Sequence, residues 1–152
     1  MPVQETQKFG RISYGEGSEI DFPAGLPGFE ERRRFLAVQL PDTHPLVFLQ
    51  SLDDPGLCFV TLPVLAVEPK YRLRLSGEDL ERLGLSGGRQ PRIGPDVLCL
   101  TVVSIRVSGP TANLLAPVVV NVANLKAVQA VMADSGYSHQ HALSPQEAAV
   151  CS

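Results

Sequence analysis

The segment Val97-Leu-Cys-Leu-Thr-Val-Val-Ser-Ile105 has seven apolar residues in nine positions. A short apolar run with several β-branched residues predicts a strand that is buried on both faces. Two further predicted strand pieces, Thr111–Leu115 and Pro117–Val122, follow it along the chain. These segments indicate a domain whose core is built from strands.

Short apolar runs alternate with turn residues in the rest of the chain as well. Thirteen prolines and thirteen glycines separate runs of Val, Leu, Ile, Phe and Thr. Many short strands joined by turns are typical of a sandwich or a barrel, so we predict an all-β fold. The other predicted strands are Lys8–Tyr14, Glu19–Phe22, Phe35–Leu40, Leu46–Leu52, Leu57–Leu62 and Tyr71–Leu75.

One short helix is predicted directly after the last of these strands. Tyr71–Leu75 alternates apolar residues with two arginines, which predicts a strand with one solvent-exposed face. Ser76-Gly-Glu-Asp79 then has the spacing of a capping box, and Gly84 can end a helix in the left-handed conformation. We therefore predict a helix at Gly77–Leu83 and a flexible connection over Gly84–Pro95.

Two stretches near the C-terminus are less well determined by local pattern. In Ala123–Asp134, the spacing of Leu125, Val128 and Met132 fits a helix, but Val128 and Met132 also fit one face of a strand. Both alternatives stay open at this level. Ser144–Glu147 has a second capping box, in a short tail that we expect to fray.

The composition is that of one ordinary globular domain. A chain of 152 residues with 44% hydrophobic residues is large enough to bury a core without disulfides. We predict a single domain over 1–152, with a core at about 8–143 and a frayed tail at 144–152. The net charge of −3 disfavours nucleic acids and anionic membrane surfaces as partners.

Cysteine usage and the N-terminus indicate where the protein acts. Cys58, Cys99 and Cys151 are widely spaced, which fits neither a disulfide framework nor a zinc motif. Cys58 and Cys99 lie in apolar runs and are predicted core residues with unreactive thiols. The polar Met1–Lys8 segment lacks the apolar stretch of a signal peptide. We therefore predict a cytoplasmic protein that needs no cofactor.

His139 and His141 are the candidates for a metal site. Two imidazoles at i, i+2 can share one face of a strand and bind a metal ion. Only Cys151, in the distant tail, offers a third ligand, so a polar surface segment is the favoured interpretation. A metal-dependent enzyme that uses both histidines is kept as an alternative function.

Other arrangements for catalysis or RNA binding are weakly supported. There is no GxSxG motif, and adjacent acids such as Asp53-Asp54 and Glu78-Asp79 diverge rather than share a site. We therefore predict that the protein is not an enzyme. The basic run Arg32–Arg34 follows two glutamates. A small RNA-binding barrel is the second alternative, and it requires a basic face with exposed aromatic residues.

Stiff loops that carry apolar residues point to protein recognition instead. Phe22–Phe29 holds Leu26 and Phe29 on a backbone rich in proline and glycine, and Thr111–Pro117 is interrupted by its proline. A stiff apolar loop loses little entropy on binding, which favours a contact surface. The same residues would serve equally well to plug the end of a barrel.

These stretches resemble the FliW family of flagellar assembly factors. The matching pieces are Ile20–Phe29, Pro45–Ser51 and Thr111–Asn121, in the order and with the spacing typical of the family, and the similarity covers about 8–143. The resemblance implies a compact antiparallel barrel-like domain with one or two short helices and no catalytic activity. It also implies a strand, not a helix, at Lys126–Met132.

The resemblance further implies two protein partners, flagellin and the RNA-binding translational repressor CsrA. A FliW-like protein antagonises CsrA, and accumulating flagellin takes it up and releases the repressor, which couples flagellin synthesis to export. Such a protein is expected to be monomeric when free, with no direct contact to nucleic acid or membrane. Gln140 and Ala142 depart from the usual Arg and Pro of the family, which puts any contact by that arginine in doubt.

The candidate partner contacts come from the matching stretches and the turn that follows the second. We expect acids such as Asp53, Asp54, Glu78 and Asp79 to lower the RNA affinity of a docked repressor through their field. The candidate contact residues are Leu26, Pro27, Phe29, Gln50, Asp53, Asp54, Asn113, Pro117 and Asn121.

Overall fold

The computed structural model describes residues 2–85 and 88–145 of the chain. Its elements, in chain order, are β1 (Val3–Thr6), β2 (Gly10–Ser13), β3 (Ile20–Asp21), β4 (Arg34–Val38), a 3-10 helix (Pro41–Thr43), β5 (Val47–Ser51), β6 (Cys58–Pro63), α1 (Val64–Val67), α2 (Gly77–Arg82), β7 (Val97–Arg106), β8 (Gly109–Asn121), β9 (Ala127–Gln129) and β10 (His141–Ala142).

Strands β3 to β10 form one antiparallel sheet that nearly closes into a barrel. Strands β3 to β8 pair in sequence order, although the connection from β6 to β7 is long and contains both α-helices. The long strand β8 pairs with β7 on one edge, and with β9 and β10 on the other. The two ends of the sheet meet where the amide of Asp21 donates to the carbonyl of Leu125 (2.9 Å). The prediction of an all-β, antiparallel, barrel-like fold is confirmed.

Strands β7 and β8 confirm the central strand at Val97–Ile105 and correct the division of the next one. We predicted two pieces separated at the proline, but Gly109–Asn121 is one strand. Its pairing with β7 shifts so that Leu114–Pro117 lie opposite Thr101 alone. Pro117, which has no amide to donate, lies in this bulge and accepts from the amide of Ala130 (2.9 Å).

The barrel interior is filled by phenylalanine and aliphatic side chains from both halves of the sheet. Phe22 and Phe35 are fully buried and meet edge to face, with ring centroids 5.3 Å apart. Leu49 and Leu100 complete the same cluster. Each of these side chains contributes about 1.5–3 kcal/mol through burial. This core fixes the strands that carry the surface loops.

The predicted strand at Tyr71–Leu75 is wrong, although its alternating burial is right. Tyr71 and Leu75 are buried, while Arg72 is exposed. The backbone is extended, but its amides bond to side chains instead of to another strand. The amide of Arg72 donates to the hydroxyl of Tyr137 (3.0 Å), and the amide of Leu75 donates to Oε1 of Gln90 (2.7 Å). This extended segment therefore buries alternate side chains although it does not pair with another strand.

The predicted helix at Gly77–Leu83 is confirmed as α2. Oγ of Ser76 accepts from the amide of Asp79 (3.1 Å), which is the predicted cap. Gly84 has a φ of +74°, as a helix stop requires. None of the helices in residues 2–85 and 88–145 is long and apolar enough to cross a membrane.

The C-terminal region resolves the ambiguous stretch. Ala127–Gln129 forms β9, and the amide of Met132 still donates to the carbonyl of Leu115 (2.9 Å), so the segment is a strand and not a helix. Pairing with β8 decides this, since local periodicity fitted both. Elements β1 and α1 are additions that the sequence pattern did not predict. The expected fraying at 146–152 lies outside the described residues.

Candidate protein-binding surface

A surface groove of about 180 Å³ gathers several of the predicted contact residues. We call it the Phe29 groove. Loop, strand and C-terminal residues that are far apart in the sequence meet here, because the barrel brings β6, β7 and β8 beside the loop that follows β3. Its lining includes Leu26, Pro27, Phe29, Phe59, Val102, Ser104, Arg106, Asn113, Val118, Gln129 and His139.

The loop between β3 and β4 is held rigidly. Gly25 has a φ of +68°, and a Cβ at this position would lie 2.5 Å from the backbone of Glu30, so only glycine fits. The amide of Phe29 donates to the carbonyl of Leu26 (2.7 Å) and closes the turn that contains Pro27. Nε of Arg33 donates to the carbonyl of Phe22 (3.2 Å) and fastens the start of the loop.

The sequence left open whether the two apolar residues of this loop contact a partner or plug the end of the barrel, and the structure gives them different environments. Leu26 is buried and plugs the barrel, whereas Phe29 is 40% exposed at the rim of the groove. The ring of Phe29 meets Phe59 edge to face at 5.6 Å, and Phe59 lies 6.0 Å from the buried Phe35. Phe29 is therefore an exposed aromatic residue on a preformed support, which suits a binding anchor.

Asn113 shapes the wall of the groove. Its Oδ1 accepts from the amide of Ala116 (3.0 Å), and its carbonyl accepts from the hydroxyl of Thr101 (2.8 Å). These bonds stabilise the bulge of β8, and Nε2 of Gln129 donates to the carbonyl of Ala116 beside it (3.1 Å). Asn113 thus has both a structural role and a partly exposed surface.

The lining of the groove includes the guanidinium group of Arg106. Arg106 is exposed at the end of β7 and forms no ion pair among the residues that the structure describes. His139 also lines the groove. A mostly apolar floor with a guanidinium at its edge can accommodate an apolar side chain beside a carboxylate or a carbonyl group.

Besides the buried Leu26, three predicted contact residues lie inside the protein, which corrects the prediction that they touch a partner. Gln50 is fully buried, and its Nε2 donates to the carbonyls of Ser51, Pro55 and Leu57 at 3.1, 3.3 and 3.1 Å. It fixes the turn between β5 and β6.

The other two, Pro117 and Asn121, belong to β8. Pro117 is buried within its bulge. Asn121 donates from Nδ2 to the carbonyl of Leu83 (2.8 Å) and accepts from the amide of Ala123 (2.9 Å). Leu26, described above, is buried as well. These buried residues occur in the stretches that resemble the FliW family because they stabilise the fold. Only the exposed predicted residues remain candidates for contact with a partner.

Asp53 and Asp54 lie on the β5–β6 turn, away from the groove lining, and are already paired. Asp53 binds the guanidinium of Arg34 at 2.9 Å, and Asp54 lies 3.7 Å from Arg32. Partial burial acts to raise the pKa of Asp53, but hydrogen bonds from the backbone and side chain of Arg34 and the amide of Arg33 lower it overall.

The basic run and the acidic pairs therefore neutralise one another only in part. Glu78 and Asp79 are likewise paired, with Arg82 at 2.6 and 3.7 Å. Such pairs act as dipoles, whose field decays faster than that of free charges. Because each of Arg32, Arg34 and Arg82 pairs with two acids, a net negative charge remains at each site, and our hypothesis of electrostatic RNA exclusion stays a prediction.

Within the part of the chain that the structure describes, His139 and His141 do not share a site with other metal ligands, and Cys151 lies outside that part. His141 belongs to β10 and pairs with Ala112, while His139 lines the Phe29 groove. Within residues 2–85 and 88–145, no group of three or more His, Cys, Asp or Glu side chains is arranged to hold a metal ion.

The Cys58 and Cys99 thiols match the predicted core positions. Cys99 is buried, and burial raises the pKa of its thiol to about 12. Cys58 is half-buried, and burial raises its pKa as well. Both thiols are therefore protonated and unreactive near neutral pH.

Comparison with known proteins identifies the fold and the family together. A family model described as FliW protein matches residues 3–143, which include the whole Phe29 groove. This chain belongs to the FliW family. The match includes the predicted core at 8–143 and extends it to β1.

Individual FliW proteins agree with this assignment along almost the whole chain. The flagellar assembly factor FliW of Geobacillus sp. (strain WCH70) is 32% identical over 146 residues, covering 95% of this chain and 96% of the relative. That of Syntrophus aciditrophicus (strain SB) is 36% identical over 135 residues, covering 87% and 81%. A crystal structure of the flagellar assembly factor FliW superimposes with a TM-score of 0.82 at 31% identity, covering 96% and 99%.

Sequence reasoning about this FliW protein missed several members of the groove, among them Phe59 and Arg106. Phe59 was read only as part of a strand, and Arg106 lay beyond the predicted end of the next one. The signal that pointed to the groove was the loop motif at Leu26–Phe29. No local pattern connects that loop to Arg106, because only barrel closure brings them together.

Proposed function

We propose that this FliW-family protein regulates flagellum assembly in the cytoplasm by binding flagellin and the CsrA repressor, without catalysing a reaction. Its relatives are named flagellar assembly factors. If the two partners cannot be bound together, the more abundant one captures the protein by mass action. Rising flagellin would then release the repressor and reduce further synthesis.

The exposed ring of Phe29 over a rigid groove is the observation that carries this proposal. Aromatic residues in preformed pockets are the usual anchors of protein interfaces, and each can contribute more than about 2 kcal/mol. The loop is already fixed by Gly25 and Arg33, so little entropy is lost when a partner docks. Pro27 and Arg106 extend the contact area on either side.

The test uses purified flagellin and CsrA from the same organism, in calorimetric titrations alone and in competition. Phe29→Ala is expected to weaken binding of at least one partner by about tenfold or more, because it removes the anchor. Leu40→Ala is the matched control, since Leu40 is 38% exposed but lies outside the groove. Its affinity should stay within about twofold of the wild-type value.

Two outcomes would contradict the proposal. Wild-type protein that binds neither flagellin nor CsrA would reject the function itself. Equal effects of Phe29→Ala and Leu40→Ala on binding would reject the groove as the contact surface. Thermal unfolding of both variants should accompany the titrations, so that a loss of folding is separated from a loss of affinity.

One observation favours the RNA-binding alternative enough to include it in the same experiment. Phe29, Arg106 and His139 bring an aromatic ring close to cationic or polar groups, as base stacking requires. The net charge of −3 argues against this alternative. A labelled RNA titration at increasing salt separates the two, because RNA binding through this groove would be lost in Arg106→Gln and would weaken steeply with salt.

A further inference from the structure

A second surface groove lies between the extended segment 71–76 and the segment that follows β9. We call it the Arg72 groove. It is open, encloses about 600 Å³, and is lined by Arg72, Arg74, Val131, Asp134 and Tyr137, among others. It shares no lining residue with the Phe29 groove. Any function of this surface is therefore separate from that of the first groove.

Both walls of the Arg72 groove are held in place by specific contacts. The rings of Tyr71 and Tyr137 stack at 4.4 Å, and the hydroxyl of Tyr71 donates to the carbonyl of Leu114 (2.6 Å). The amide of Arg74 donates to the sulfur of Met132 (3.3 Å), which joins the two walls directly. The groove is thus preformed, and the arginine side chains project from a fixed backbone.

The Arg72 groove carries two arginines that are free of ion pairs within the described residues. Arg72 and Arg74 are exposed and form no ion pair among the described residues, whereas Arg11, Arg32, Arg34, Arg82 and Arg92 are each paired with an acid. Asp134 lines the groove without pairing to either arginine. Five of the ten arginines are thus paired, and the Arg72 groove holds two of those that are unpaired in the described part of the chain.

The groove also offers an apolar contact beside the charges. Val131 is 62% exposed on the wall opposite the arginines. Arg72 and Arg74 are two positions apart on an extended backbone, so their Cα atoms are separated by about 6.6 Å. Alternate residues of an extended peptide have the same spacing. A peptide with acids at alternate positions therefore matches both guanidinium groups at once, while an intervening apolar side chain can reach Val131.

We infer that the Arg72 groove binds an extended acidic segment of a partner protein, in which acidic and apolar residues alternate. The two unpaired arginines supply the charge complementarity, and Val131 supplies the apolar contact. A nucleic-acid strand is a poorer match, since the protein is acidic and the groove has a carboxylate of its own. This inference does not depend on the identity of the partner that occupies the Phe29 groove.

The test is a fluorescence-polarisation titration of the full chain with a labelled octapeptide of alternating Glu and Val. The same peptide with Gln in place of Glu is the ligand control. The double variant Arg72→Gln, Arg74→Gln should weaken binding by about tenfold or more, and raising the salt from low to physiological strength should weaken wild-type binding as well. Asp134→Asn should strengthen binding, because it removes a repulsive carboxylate.

Arg106→Gln is the matched control variant, because Arg106 is also exposed and unpaired in the described part of the chain but lies at the other groove. Its affinity for the acidic peptide should stay within about twofold of the wild-type value. Equal losses in Arg106→Gln and in the double variant would overturn the inference, since they would indicate attraction to any free arginine.

Two further outcomes would overturn the inference. No binding of the Glu–Val octapeptide by wild-type protein at low salt rejects the groove as a site for acidic peptides. Tighter binding of an oligothymidylate probe, lost in the double variant, would assign the groove to nucleic acid instead. Because Phe29→Ala should leave octapeptide binding unchanged, failure of this inference is distinguishable from failure of the flagellin and CsrA proposal.

Discussion

Asn121→Ala distinguishes a structural anchor from a partner contact. Asn121 is buried at the end of β8, where its Nδ2 donates to the carbonyl of Leu83 (2.8 Å) and its Oδ1 accepts from the amide of Ala123 (2.9 Å). The first bond connects the barrel to the C-terminus of α2, and the second begins the turn towards β9. Alanine removes both bonds while leaving the backbone conformation accessible.

The expected loss of stability depends on whether each group that loses Asn121 as a partner can still form another hydrogen bond. The carbonyl of Leu83 also accepts from Nδ2 of Asn124 (3.1 Å), so the loss of its first bond costs about 0.5–1 kcal/mol. The hydrogen bond from the amide of Ala123 is partly buried, and its loss costs about 1–2 kcal/mol. The free energy of unfolding should therefore fall by about 1.5–3 kcal/mol, which lowers Tm by about 3–12 °C in a domain of this size.

Urea denaturation followed by circular dichroism measures this change, and Asn124→Ala is the matched control. Asn124 is exposed, and its Oδ1 accepts from the exposed amide of Lys126 (2.9 Å), which water can replace. The control should therefore cost less than about 1 kcal/mol. A cost below about 0.5 kcal/mol for Asn121→Ala, or equal costs for the two variants, would refute the assignment of Asn121 as an anchor.

Three other perturbations test the packing, the charge pairing and the thiols. Tyr71→Phe removes the hydroxyl that donates to Leu114, and should lower the free energy of unfolding by about 1–2 kcal/mol in the same urea assay. Hydrogen bonds outweigh burial and lower the pKa of Asp53, so its stabilising contribution is present near neutral pH and is lost as the pH falls through that pKa; Asp53→Asn should flatten this acid limb in a series of Tm measurements. In a variant without the C-terminal cysteine, Cys99 should react with a thiol reagent only after unfolding, and the half-buried Cys58 should react sooner; rapid labelling of Cys99 in the native protein would contradict its burial.

Much of the fold could be predicted because its signals are local. Apolar runs such as Val97–Ile105 need burial whatever surrounds them, and Ser76 caps a helix through groups only three residues away. The Leu26–Phe29 loop, which supplies three of the eleven residues that line the Phe29 groove, could be found in the same way. Asn113 was found through the motif, but its role in shaping the β8 bulge depends on the neighbouring strand.

The sequence by itself determined an all-β domain with a capped helix and a stiff apolar loop, because propensity, turn chemistry and capping act within a few residues. Only the tertiary structure decided that Phe59 and Arg106 lie beside Phe29, that Gln50 and Asn121 face inward, and that the arginines of the 71–76 segment remain unpaired. Those features depend on barrel closure and on hydrogen-bond partners tens of residues away, and no periodicity in the chain encodes them.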